Sequence, residues 1–351
     1  MHTSRTRLPE ELTGPADFAY VTPKGRRLTE YEAVTCYTQP QVGGGGLQPM
    51  GDFKLRPDGR PLFDLDGTAL RCDDWFAFRD PNQMWQKPYY VLQAGAERSI
   101  DRATEVLASS GAVRSVDPAW VEHGLVGAYL PFGHFEYGLF RALNVAARES
   151  LSDTVNSVLV FNAADKLRHA QATSLLGLDL ESALEGFDGT AGRARWLDDP
   201  LWQPARRLVE EVMAIADWGE IVVAVNLAVE PIVGEPLRRL VFSLAAASRR
   251  DLLVPIVAAT AIADWHRNAK AAAGFVGFLL DGPGGEGNAK VLSGWLRDWT
   301  ERARRVAEQL FAGLEGSLAE PGLGARAQAA AREEQDRVGV GVLDPDGEVS
   351  V

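Results

Sequence analysis

Two short stretches carry residue types that could hold a metal pair. In "DKLRH" (165–169), Asp165, Arg168 and His169 are spaced as in a metal-binding helix. A carboxylate at i and an imidazole at i+3 share one helix face and can reach the same ions. Helix bundles that bind two irons or two manganese ions take a Glu from each of two helices and Glu-x-x-His from each of two others. The fuller pattern is Asp-Glu-x-Arg-His, where the Asp orients the His of the opposing helix. Lys166 stands where that pattern needs its carboxylate, and Glu136, one helix earlier, stands about where the partner Glu belongs. The stretch "DWHRN" (264–268) repeats the pattern: Asp264 and Arg267 are kept, while Trp265 and Asn268 occupy the ligand positions. No well-placed Glu precedes this second copy. Glu230 is nearest, and Pro231 follows it.

Iron and manganese pairs want several oxygen donors plus imidazole. Of the ligand positions, only Glu136 and His169 remain chemically competent, and Lys166 would bring a positive charge to where two divalent cations would sit. The residues therefore point to an ammonium group that replaces the metal and pairs with Glu136 inside the bundle, with no metal and no catalytic group in this chain. One Asp-x-x-Arg-His alone would be an ordinary hydrogen-bonded helix face; two copies on two long apolar helices suggest an internal duplication. Two other readings stay open: a stand-alone ferritin-like metalloenzyme using Glu136, His169, Glu230 and His266, and a helical scaffold with no enzymatic partner. Other chemistry is missing. No His-x-x-x-His or cysteine pair supplies zinc ligands. The glycines at 43–46 and 282–287 lack the lysine of a phosphate loop, and there is no Gly-x-Ser-x-Gly elbow. The nine tryptophans are expected in core or interface.

The elements that must position these residues read as helices. The 351 residues are 46% hydrophobic and 24% charged. Helical spacing runs over 82–111, ending at Gly111; over 117–151, as one or two helices; and over 152–180 behind a Ser-Asp cap. It resumes at 198–218, with Asp198 or Asp199 as cap, and continues through 219–250, 251–281 and 288–316. Residues 251–281 are apolar on nearly all sides, as expected of a central helix. The predicted fold is all-α, a ferritin-like bundle of long helices over 75–316. Residues 1–74 read as an extended, irregular arm whose Tyr20, Tyr31, Tyr37 and Phe53 need a surface to lie on, and 317–351 read as a flexible tail. The apolar runs fall short of the roughly 18 residues that span a membrane, and no signal-peptide pattern opens the chain. A net charge of −12 disfavours nucleic acid, and Cys36 and Cys72 form no disulfide framework, so a cytoplasmic setting is expected.

Three stretches together carry a family resemblance. "WFAFRDPNQMWQKPYYVLQAGAERSID" (75–101) resembles a Trp-x-x-Phe-Arg-Asp-Pro stretch with a downstream Tyr and Gln. "NAADKLRHAQ" resembles an Ala-x-Asp-x-Leu-Arg-His-x-Gln helix. "DDPLWQPARRLVEEVMAIADWGEIVVAVNLAVEP" resembles a Trp-Gln-x-x-Arg … Asp-Trp-x-Glu … Asn-Leu stretch. Over roughly residues 30–280 the chain resembles the β (small) subunit of the hydroxylase component of soluble bacterial di-iron monooxygenases, which include the methane, toluene/phenol, propane and alkene enzymes. The arm and the Ala, Arg and Gly content are most similar to the actinobacterial alkene or short-alkane branch. The resemblance implies a non-catalytic subunit beside an α subunit that carries the di-iron centre, in an αβ or α2β2 assembly. It further implies a small effector protein and a reductase bearing FAD and [2Fe-2S] and drawing on NADH. Tyr31, Tyr37, Trp75, Phe78 and Arg79 would anchor the arm or the contact with the α subunit.

Overall fold

The computed structural model describes residues 28–36, 64–339, 341 and 343, and these contain helices and turns without a strand. The all-α expectation holds. Helix α1 (Gln86–Ser110) stops at Gly111, whose φ of 72° lets its N–H cap the Ala108 carbonyl, a conformation that glycine adopts without strain. A π-helical segment, Trp120–Tyr129, runs directly into α2 (Leu130–Glu149). Helix α3 (Asp153–Ala183) begins at the predicted Ser152, whose side chain accepts the Val155 N–H. Helices α2 and α3, joined by a three-residue turn at 150–152, pack along their length.

The expected Asp caps near 198 fall differently. Asp198 ends a short helix, α4 (Ala191–Asp198), and Asp199 accepts the Leu201 N–H in the following turn. Helix α5 (Gln203–Met213) then starts with a proline in its first turn. Helix α6 (Trp218–Val223) is capped by Asp217, which accepts the N–H groups of Gly219 and Glu220. The chain stays helical to α7 (Ala246–Ser248) through two π-helical segments, Ala224–Gly234 and Leu237–Ala245. Pro231 and Pro236 account for the wide turns of the first segment. Each lacks an N–H and crowds the carbonyl one turn back, and an i→i+5 turn absorbs that mismatch.

Every residue of Ala224–Gly234 is buried, so this segment is the centre of the bundle. That role was expected of 251–281. Helix α8 (Val254–Asp281) instead leaves Ala263, His266 and Lys270 exposed on one face. Helix α9 (Gly285–Leu318) covers the central segment. Helix α10 (Leu323–Arg337) lies beside it, so the expected flexible tail is helical over these residues, while 344–351 lie outside the described residues. Leu323, Ala327, Ala330, Ala331 and Glu334 make its buried face. Alanines carry little hydropathic signal between charged residues, so the face is faint in sequence.

In the arm, Thr29 and Glu32 form a reciprocal cap: the Thr29 N–H donates to Glu32 Oε2 (2.9 Å) and the Glu32 N–H to Thr29 Oγ1 (3.2 Å). The short helical segment Glu32–Cys36 that follows lies against α3. Tyr37 and most of the arm lie outside the described residues.

Candidate functional site

The two degenerate motifs meet where α2, α3, α8 and the π-helical segments converge. The pairing has two tiers. In the first, Lys166 on α3 lies between two carboxylates. Its Nζ is 2.7 Å from Glu230 Oε2 and 3.2 Å from Glu136 Oε2. Arg238 closes the other side. It bonds Glu136 Oε1 through Nη2 and lies 2.9 Å from Glu230 Oε2 through Nη1. All four side chains are at most 2% exposed, so the centre of the site holds two carboxylates, an ammonium and a guanidinium in direct contact. Burial alone would raise the Glu136 carboxyl, but Arg238 and Lys166 hold it well below the ordinary carboxylate range. The same carboxylates, opposing burial, push the Arg238 guanidinium above its usual value.

Local structure makes room for this tier. Pro231, the residue that made Glu230 look unusable, sits in the wide π-type turn, and Glu230 enters the site from it. Gly234, one turn on, keeps the space clear: a Cβ there would lie 2.6 Å from Glu230 Oε1. Glu230 is therefore a full member of the centre, which corrects the sequence reading. Arg238 was missed altogether. Its only signal was a pair of cations, Arg238 and Arg239, two turns after Glu230 in a largely apolar run.

In the second tier the two motif copies interlock. Asp264 on α8 accepts from Arg168 (2.5 Å) and pairs with His169 Nε2 (3.1 Å), both on α3. Asp165 on α3 accepts from Arg267 and from Asn268 Nδ2 (2.8 Å), both on α8. Each Asp thus holds the Arg and the former ligand position of the opposite helix, the reciprocity expected of an internal duplication. Helix α1 ties the two carboxylates together. Gln93 Nε2 donates to Asp165 (3.1 Å) and to Asp264 (2.8 Å), and the Tyr89 hydroxyl donates to Asp165 (2.9 Å). The acids titrate apart. Burial and the charge of Asp264 raise Asp165. Asp264, despite burial, is pulled down by His169, Arg168 and Arg267. His169 links the tiers, with Nδ1 3.7 Å from Glu136 Oε2. Trp265 is buried, and its indole N–H is committed to Glu334 on α10 (2.7 Å).

A metal pair does not fit these residues. An ammonium and a guanidinium occupy the two carboxylates, and Asp264 and Asp165 are engaged by Arg168, His169, Arg267 and the Asn268 Nδ2 of the interlock. The alternative set of Glu136, His169, Glu230 and His266 is not assembled either, because His266 is exposed and neighbours Glu235 and Glu334 instead.

The residues expected at a partner surface are mostly covered by the chain itself. Trp75 packs against Trp218 and Phe275, and Phe78 against Phe275 and Phe278. The Arg79 guanidinium donates to the Phe78 carbonyl at 2.8 Å. Tyr31 is 3% exposed, and its hydroxyl accepts the Asp80 N–H at 2.9 Å. Trp75, Phe78 and Tyr31 therefore fix the described part of the arm to the bundle and are too buried to offer rings to another chain.

The methane/phenol/alkene hydroxylase family matches residues 55–283. The hydroxylase small subunit of propane 2-monooxygenase from Mycolicibacterium goodii is 32% identical over 300 residues, 84% of this chain and 79% of that one. The methane monooxygenase component A beta chain of Methylococcus capsulatus is 35% identical over 256 residues, 71% of this chain and 66% of that one. A chain in a structure of phenol hydroxylase from Pseudomonas sp. OX1 superposes with a TM-score of 0.70 at 20% identity, over 87% of this chain and 91% of that one, a likeness of fold. With a family match over most of its length and these small and beta subunits as relatives, the chain belongs to the methane/phenol/alkene hydroxylase family, as a β (small) subunit of the hydroxylase component.

Proposed function

We propose that this chain is the non-catalytic, structural subunit of an NADH- and O2-dependent monooxygenase that epoxidises alkenes or hydroxylates short alkanes. The di-iron centre belongs to the partner α subunit. A separate reductase, bearing FAD and [2Fe-2S], supplies electrons, and a small effector protein docks on the hydroxylase. The assembly is αβ or α2β2 and cytoplasmic. The observation that carries this reading is Lys166: its ammonium lies within 3.2 Å of both glutamates that a metal pair would need. The subunit's contribution is then a rigid, ion-paired bundle against which the α subunit's helices pack.

Helix α1 supports the existence of a large partner. Of its 25 residues only Tyr89 and Gln93 are buried, and Tyr90, Val91 and Val106 are each more than half exposed. Lone long helices draw most of their stability from packing, and contiguous exposed apolar side chains mark contact surfaces. The relatives named as small or beta subunits of hydroxylase components point to an α subunit as the occupant. Co-expression with that α subunit tests the proposal. The two chains are expected to elute together, with iron confined to the α subunit and turnover only in the pair. Failure to co-elute would leave the helical-scaffold reading, and turnover by this chain alone would leave the metalloenzyme reading.

A further inference from the structure

Where Trp265 reaches α10 through its bond to Glu334, three elements bring together a different set of donors. Glu235 follows the central π-helical segment, His266 is on α8, and Glu334 is on α10. One potential ligand atom from each lies within 4.8 Å of the others. Glu235 and Glu334 are 1% and 0% exposed. Among the described residues, each keeps a buried carboxylate oxygen with no hydrogen-bond donor, Oε2 of Glu235 and Oε1 of Glu334. The other oxygen of Glu334 is fixed, accepting from Trp265 Nε1 at 2.7 Å and from Arg337 Nε at 3.0 Å.

A buried carboxylate oxygen without a partner costs free energy that ordinary side-chain packing does not return. The neighbouring cations do not meet the need. Arg239 is 3.6 Å from Glu235 and donates at 2.8 Å to Glu333, and Arg337 serves Glu334 and Glu333. Neither guanidinium donates to Glu235 Oε2 or to Glu334 Oε1. His266 is exposed, which provides a way in from solvent.

We infer that Glu235, His266 and Glu334 form a binding site for one divalent first-row metal ion, of the Zn2+ class, that clamps α10 to α8 and to the central segment. The mixed carboxylate–imidazole set selects such an ion over Ca2+ or Mg2+, which prefer oxygen alone. A tetrahedral ion at about 2.1 Å from its donors sets them roughly 3.4 Å apart, inside the 4.8 Å within which the three ligand atoms already lie. Water completes the coordination on the open side. Trp265, at a former ligand position of the ancestral motif, holds Glu334 in place as an outer-shell donor.

The test uses the full chain, stripped with chelator, and Zn2+ alone, titrated against a chromophoric competitor. Co2+ replaces Zn2+ for its visible d–d bands. One ion per chain is expected, together with a rise in melting temperature. His266→Ala, at an exposed position that leaves the core intact, should weaken binding at least tenfold and remove the melting shift. Glu334→Gln should do the same, while His123→Ala, at an imidazole on another segment, should change neither. Absence of stoichiometric binding, or equal affinity in His266→Ala and the unaltered chain, would overturn the site. Neither result depends on the proposed subunit role, whose own test is co-elution with the α subunit.

Discussion

Replacing Lys166 by Met and Glu136 by Gln removes one charge of opposite sign from the same buried cluster, and the two losses are not equivalent. Lys166→Met leaves two carboxylates and one guanidinium. Arg238 still touches both carboxylates, at 2.9 Å from Glu230 and in hydrogen-bond contact with Glu136, and Met fills much of the lysine's volume. The surplus charge is a carboxylate, which can take up a proton. Glu136→Gln leaves Lys166 and Arg238 over one carboxylate; the guanidinium cannot give up its proton, and Lys166 could shed its own only against the attraction of Glu230 at 2.7 Å. Breaking a buried pair from one side costs about 3–5 kcal/mol. We assign that range to Glu136→Gln and a smaller loss, about 1–2 kcal/mol, to Lys166→Met, where each anion keeps a partner. The signs of the pH dependence also differ. In Lys166→Met the folded state binds a proton more tightly than the unfolded chain, so stability is regained as pH falls from 8 towards 5. In Glu136→Gln no such recovery occurs. Urea midpoints of the full chain at pH 8, 6.5 and 5 measure both. A Lys166→Met loss equal to or larger than that of Glu136→Gln, or one that grows as pH falls, would refute the charge-replacement account.

Three further outcomes follow from the geometry. Gly234→Ala places a methyl 2.6 Å from Glu230 Oε1 and should cost ~1–3 kcal/mol as overpacking; a melting temperature equal to that of the unaltered chain would contradict the role given to this glycine. Asp264 has its carboxyl held down by His169, Arg168 and Arg267, so its contribution is present above the unfolded value of about 4 and lost as pH falls through the lower folded value. The destabilisation by Asp264→Asn should thus be constant from pH 8 to 5 and shrink in more acid solution, and an unfolding series with the opposite trend would count against the interlock. Deleting residues 1–60 removes the buried Tyr31 and its bond to Asp80 but none of α1–α10, so circular dichroism should report a folded bundle while size-exclusion chromatography reports weaker assembly with the α subunit; undiminished assembly and turnover would confine the assembly role to the bundle.

The helices were legible because their signals are local. Ser152 caps α3, Gly111 ends α1, and apolar spacing marks α9. The pairing of Lys166 with Glu136 was legible because the motif spacing puts both on facing helices. Three features depended on context that spacing does not carry. Glu230 looked excluded by Pro231, yet the π-type turn that proline favours is what brings it to Lys166. Arg238 belongs to no motif, and its burial is explained only by the two carboxylates it meets in three dimensions. The buried face of α10 is built largely of alanines and one glutamate, a pattern that period counting weighs lightly. Trp75 and Phe78 were expected to anchor the arm or a contact with the α subunit, and which of the two they serve depends on packing that a sequence does not carry: Trp218, Phe275 and Phe278 of the same chain cover them.

The central claim is that an ammonium and a guanidinium fill the place of a metal pair. Loading the full chain with Fe2+ under anaerobic conditions, exposing it to O2 and recording iron content and Mössbauer spectra tests this directly. The account predicts no exchange-coupled di-iron signal and at most one iron, which His266→Ala removes and Glu136→Gln leaves. Two irons per chain with a coupled spectrum that disappears in Glu136→Gln would contradict it.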